Sequence, residues 1–161
     1  MSEFSKSFPF GFEITSTLNI IDWGDCMLDP HKPDTIVPSI QKHAEELIHG
    51  GCKMLTFGGD HFISYPLIRA HAKKYGPISL LQVDAHCDTW EDDGVRLDHG
   101  TMFARAVKEG LIDVESSTQL GLRTFNDSDL GFEILSSPWI HNNGVGKSVE
   151  IIKKRAQDKP L

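Results

Sequence analysis

The sequence predicts an α/β fold, a three-layer α/β/α sandwich around a parallel sheet, and three observations predict it. Short apolar runs alternate with amphipathic stretches of helical length, and that alternation implies parallel pairing through right-handed crossovers. Residues 78–83 (ISLLQV) are mostly apolar and lie between Pro77 and a polar turn, as in a strand buried on both faces of a parallel sheet. Two of the runs end abruptly in Asp and His, and the carboxyl end of such strands is where open α/β sheets bind ligands.

Taken in order, residues 17–22 (TLNIID) read as a first strand, preceded by a Phe-rich arm at 4–12. A Pro-rich loop follows, and Asp34 is placed to cap a helix through Ile36, Ile40, Ala44, Leu47 and Ile48 that ends at Gly50-Gly51. Spacings of three and four put those apolar residues on one face and leave Gln41, Lys42, Glu45 and Glu46 outside. Residues 53–57 (KMLTF) read as a second strand, 67–75 as a helix stopped by Gly76, and 78–83 as the central strand. A polar loop at 89–98 leads through His99-Gly100-Thr101 to a helix containing Met102, Ala106 and Val107, closed by Gly110. Residues 117–122 (STQLGL) form a fourth strand, the segment through Trp139 reads as irregular, and 147–156 as a final helix. That helix leads to no further strand, an unfinished βαβ unit. The expectation is one α/β domain over residues 1–161, read as the N-terminal part of a larger fold.

Composition narrows the function classes. A chain of 161 residues with 39% hydrophobic and 24% charged residues suits a globular domain. A net charge of −7 argues against nucleic acid as the main partner. No stretch is long and apolar enough to span a membrane and no signal pattern opens the chain, so a cytoplasmic location is expected. Cys26, Cys52 and Cys87 have no CxxC spacing, so neither a disulfide framework nor a zinc knuckle follows. Strand alternation turns Cys87 away from its neighbours as a small buried residue.

Asp84, His86 and Asp88 occupy alternate positions at the end of the central run, so an extended backbone would put their side chains on one face. His61 follows Gly58-Gly59-Asp60 at the end of the preceding run, where the glycines permit a tight turn. A polar loop that merely solubilises a strand end would give similar letters at either place alone. Four such groups at two consecutive strand ends point instead to metal binding. Carboxylates with imidazole suit a hard or borderline divalent ion such as Mn²⁺.

GGDH at 58–61, DAHCD at 84–88 and HGT at 99–101 resemble the ureohydrolases, the arginase and agmatinase family. The resemblance runs from about residue 17 to the end of the chain, and DAHxD is its most specific signature. LDHGTMF at 97–103, QLGLRT at 119–124 and DWGD at 22–25 are nearer to agmatinases than to arginases. The resemblance implies two Mn²⁺ ions, with His61, Asp84 and Asp88 on one, Asp84 and His86 on the other, and Asp84 bridging. It also implies that His99 is the active-site histidine, which shuttles protons or contacts substrate; a residue that caps the following helix is the alternative. The implied reaction is hydrolysis of agmatine to putrescine and urea, with guanidinobutyrate or another guanidino compound as the alternative substrate. A small guanidino molecule is then the partner, and the complete protein a homo-oligomer. Two further metal-binding aspartates of the family come from a strand after the helix that ends here near Gln157, so a catalytically incomplete metal-binding fragment is a rival reading.

Other features point elsewhere and carry less. Gly146-Lys147-Ser148 ends like a phosphate-binding loop, but His141 stands where the required glycine would be. Lys153-Lys154-Arg155 reads as the solvated, dipole-favoured end of the last helix. Trp90-Glu91-Asp92-Asp93 reads as a solvated loop or an acidic substrate entrance.

Overall fold

A computed structural model describes residues 6–96, 98–125 and 128–157. Phe4 of the N-terminal arm, Leu97 and the terminal residues 158–161 lie outside them. The chain opens with a small antiparallel ribbon, β1 (Lys6–Ser7) with β2 (Phe12–Glu13), followed by a single turn, α1 (Ile14–Thr17). A parallel three-stranded sheet has the order β3 (Leu81–Val83), β4 (Thr118–Leu120), β5 (Glu133–Leu135). Ile78 bridges Ile112 in parallel just before β3, which extends the contact toward the start of the predicted run.

The described residues include four longer helices. α2 (Ile36–His49) buries Ile40, Ala44 and Ile48 and packs against α3 (Ser64–Tyr75), with Ala44 and Ile48 meeting Ala70 and Leu67. Its N-cap is Thr35 rather than the expected Asp34, because Pro33 opens a 3₁₀ turn over Pro33–Thr35 that places Asp34 within the turn. α4 (Met102–Lys108) shares the main core with α3: Phe62, Tyr65, Ile68, Met102, Phe103 and Ala106 pack on Ile78 and Leu80. α5 (Ser137–Ala156) lies against β4 and β5. It starts ten residues before the expected 147 because Ser136 caps it through the N–H of Trp139 and Pro138 favours its first turn. Gly144, at φ 84°, interrupts it with a kink.

Several expectations are corrected. Residues 17–22 and 53–57 are not strands: no strand among the described residues lies beside either, so their backbone polar groups have no ladder to join. Most of their apolar side chains stay in solvent, with Leu55 and Phe57 83% and 87% exposed, while Met54 packs on the Ala44–Ile48–Ala70 cluster. The stretch through Trp139 is not wholly irregular, since it holds β5. Arg155 is not a solvated charge, because its guanidinium donates to the carbonyls of Ser117 and Val114 at 3.2 and 2.9 Å and so ties α5 to the start of β4.

The central strand is inverted relative to its apolar pattern. Leu81 and Val83 face outward, Val83 72% exposed, while polar Gln82 is 5% exposed. Leu81 on the same face is 38% exposed, so this face of β3 stays largely open among the described residues. Gln82 is tolerated inside because every polar atom of its amide has a partner.

Candidate metal centre

The site forms where two chain segments stop being regular. Asp84 continues the β3–β4 pairing by one residue, its N–H donating to Leu120 O at 3.0 Å. Its carboxylate then accepts the His86 N–H at 2.8 Å, which turns the chain out of the sheet. Asp88 closes that turn at φ 53°, a left-handed conformation that Asp adopts more readily than most residues. The second segment begins at Asp60, which accepts the Phe62 N–H at 2.8 Å and caps the 3₁₀ turn His61–Ile63. Gly58 leaves room for Ile63, since a Cβ there would lie 1.9 Å from Ile63 Cδ1 and force that side chain to move.

These turns bring His61, Asp84 and Asp88 together, with one ligand-type atom from each inside a 4.8 Å cluster. His61 Nδ1 lies 2.9 Å from Asp88 Oδ2 and 3.6 Å from Asp84 Oδ2. His86 stands on the other side of Asp84, its Nδ1 3.3 Å from Asp84 Oδ1, and is outside the cluster. Asp84 is therefore flanked by an imidazole at each oxygen. The His61 ring is held edge-on against Phe103, at 5.8 Å between centroids and 89° between planes. One imidazole and two carboxylates on a half-buried floor fit a hard or borderline divalent cation.

The carboxylates differ electrostatically. Burial pushes the Asp84 carboxyl up, but the His86 N–H, the His61 imidazole and the Ala85 N–H outweigh it and hold the group below the usual carboxylate range. Asp88 is more deeply buried, and burial together with the Asp84 charge raises it despite the opposing pull of His61. Repulsion between these two acids is what a bound cation would relieve.

An open cleft of ≈ 380 Å³ covers the cluster, lined by His61, Asp84, His86, Asp88, Trp90 and His99. A groove of ≈ 440 Å³ at Thr15–Ile20 is larger but has no titratable side chain in its lining. His99 is exposed, and its Nδ1 lies 3.1 Å from Asp60 Oδ2. Asp60 is the site residue that the sequence reading passed over, treating it only as part of the turn. Its signal is an N-cap aspartate immediately before a candidate ligand, but its second oxygen meets His99 only through the tertiary fold.

Trp90 is placed by Gly100. The Trp90 N–H donates to Gly100 O at 3.1 Å, and a Cβ on Gly100 would lie 2.4 Å from Trp90 Cε3. Gly100→Ala is therefore expected to push the indole out of the cleft and lower stability by about 1–3 kcal/mol, as overpacking does; chemical denaturation measures the loss. Asp92 is neither solvated nor part of an acidic entrance, because it turns inward onto Arg105.

Residues 2–161 match the arginase family. The agmatinase of Chromobacterium violaceum is 53% identical over 158 residues, 97% of this chain and 49% of the relative. That of an Escherichia coli strain is 42% identical over 96% of this chain and 50% of the relative. Among solved structures, a hypothetical agmatinase from Burkholderia thailandensis superposes with a TM-score of 0.92 at 48% identity, covering 96% of this chain and 49% of that one. The proclavaminate amidino hydrolase of Streptomyces clavuligerus follows at 0.85 and 27% identity, covering 97% and 55%. The chain spans about half the length of the curated relatives it matches. With the α/β fold, the parallel sheet and the 84–88 motif at the end of β3, the chain belongs to the arginase family.

Proposed function

We propose that this chain carries the metal-binding half of an agmatinase-type guanidino hydrolase, which cleaves agmatine to putrescine and urea with manganese. The convergence of His61, Asp84 and Asp88 at the floor of one cleft is the observation that carries the reading. His61, Asp84 and Asp88 would hold one ion, and Asp84 with His86 would face a second. When bound, such ions lower the pKa of water and supply a hydroxide nucleophile near neutral pH.

The remaining chemistry belongs to the chain's own groups. A guanidinium is a resonance-stabilised cation, so acidic side chains on the cleft floor attract it. Cleavage requires a proton on the departing amine. His99 is the group for that step: Asp60 fixes the ring through Nδ1, which leaves Nε2 to hold or pass the proton. Trp90 forms one wall of the cleft. The whole enzyme is read as a cytoplasmic homo-oligomer acting on a small molecule. No helix among the described residues is long and apolar enough to cross a membrane.

The test is urea release from agmatine after Mn²⁺ loading. The 161-residue chain alone is expected to bind Mn²⁺ and release little or no urea, because its one three-residue cluster offers ligand atoms for a single ion. Addition of a polypeptide matching the second half of the C. violaceum relative is expected to bring urea release, which His61→Ala or Asp84→Ala abolishes. Release that survives those substitutions, or hydrolysis of guanidinobutyrate and not agmatine, overturns the site or the substrate respectively.

A further inference from the structure

The motif 84–88 is held from beneath by two buried glutamines that the reading above does not use. Gln82 donates through Nε2 to His86 O at 3.0 Å and to Asp88 Oδ2 at 3.3 Å. Gln119, fully buried on β4, donates through Nε2 to Cys87 O and to Gln82 Oε1, both at 2.6 Å. The orientation of each amide is forced: backbone carbonyls only accept, so both NH₂ groups must face the motif. Gln82 Oε1 is then left to face the Gln119 donor.

The consequence is a turn pinned at three successive carbonyls. His86 O is taken by Gln82, Cys87 O by Gln119, and Asp88 O by the Phe103 N–H at 3.2 Å. This pinning keeps Asp88 at its positive φ, with its carboxylate aimed at His61. Gln119 Oε1 is buried with no hydrogen-bond partner among the described residues. Here the amide serves the motif and leaves its own acceptor unmet.

We infer that Gln82 and Gln119 are positioning residues that set how tightly His61, Asp84 and Asp88 hold a divalent cation. The inference rests on the metal reading proposed above. Groups that orient a metal's direct ligands through hydrogen bonds typically change affinity 10–100-fold when removed. Gln82 acts directly on the Asp88 carboxylate, and Gln119 acts one step back, through Gln82 and the Cys87 carbonyl.

The experiment is titration of the apo chain with Mn²⁺, followed by the electron paramagnetic resonance signal of the free ion. Gln82→Met keeps length and removes the donor, and is expected to weaken Mn²⁺ binding about 10–100-fold. Gln119→Met never reaches the cluster and is expected to weaken it in the same direction; it also serves if Gln82→Met does not fold. Ser79→Ala is the control: it breaks the buried Ser79–Ser116 hydroxyl pair next to the same strand, at 2.6 Å, without touching the motif. It is expected to lower the melting temperature and leave affinity unchanged. A folded glutamine variant with wild-type affinity overturns the inference, as does an equal loss in Ser79→Ala. Failure of the wild-type chain to bind Mn²⁺ overturns the metal reading itself, and the inference with it.

Discussion

Asp88→Asn is expected to reduce Mn²⁺ affinity by at least 100-fold, the upper end of what loss of an orienting partner produces, because a direct anionic ligand is removed. Asparagine is the informative substitution. It keeps the shape of the side chain and tolerates the left-handed backbone that Asp88 adopts, whereas alanine would add strain. The same change is expected to raise the melting temperature of the metal-free chain. Burial and the Asp84 charge raise the Asp88 carboxyl above its ordinary value, so its charged form opposes folding at neutral pH. A raised folded value means that stability falls as pH climbs through it, and a neutral amide escapes that loss. Calorimetric melting beside Mn²⁺ titration checks both halves. An Asp88→Asn chain that is less stable without metal and still binds tightly would mean that Asp88 is a structural residue.

Arg105→Ala is expected to lower the free energy of unfolding by about 3–5 kcal/mol, the range for removing one partner of a buried ion pair. Arg105 Nε faces both Asp92 oxygens at 3.1 Å, and its terminal nitrogen meets Asp92 Oδ1 at 2.5 Å and Arg96 O at 2.7 Å. The side chains are only 11% and 5% exposed. The guanidinium also lies 5.6 Å over the Tyr65 ring, whose hydroxyl donates to Glu109 at 2.5 Å. This network ties the loop before His99 to α3 and α4, so its loss loosens Trp90 and His99 together. Arg105 bonds hold the Asp92 carboxyl below its ordinary value of 3.8. The contribution is therefore complete above that value and disappears as pH falls through the lowered folded value. Urea denaturation is expected to show the widest gap between wild type and Arg105→Ala near neutrality, and a narrowing gap in acid. A neutral-pH loss under about 1 kcal/mol would place the pair with ordinary surface ion pairs.

The candidate ligands were legible because each sits at a place that backbone geometry marks. A strand's two-residue period announces Asp84, His86 and Asp88, and a glycine pair before a polar turn announces His61. The period did not carry through the turn. Asp88 joins His61 by leaving the extended conformation, while His86 remains on the far side of Asp84. Asp60–His99 and Asp92–Arg105 were not legible, because their partners stand 39 and 13 residues apart and meet only when separate segments pack. β5 escaped notice because three residues are too few to show a period.

By itself the sequence determined which atoms can ligate, which face of α2 is apolar and to which family the motifs belong, since side-chain chemistry and helical spacing are local properties. Only the tertiary structure decided which runs become strands and which side of the central strand is covered. A strand exists through hydrogen bonds to a neighbour, and residues 17–22 and 53–57 have none beside them among the described residues. Alternation states that Leu81 and Val83 share a face opposite Gln82, but it is silent on which face receives the core. Packing chose the glutamine, because Gln119 and the turn at 86–88 satisfy its amide, and that choice places a donor beneath Asp88.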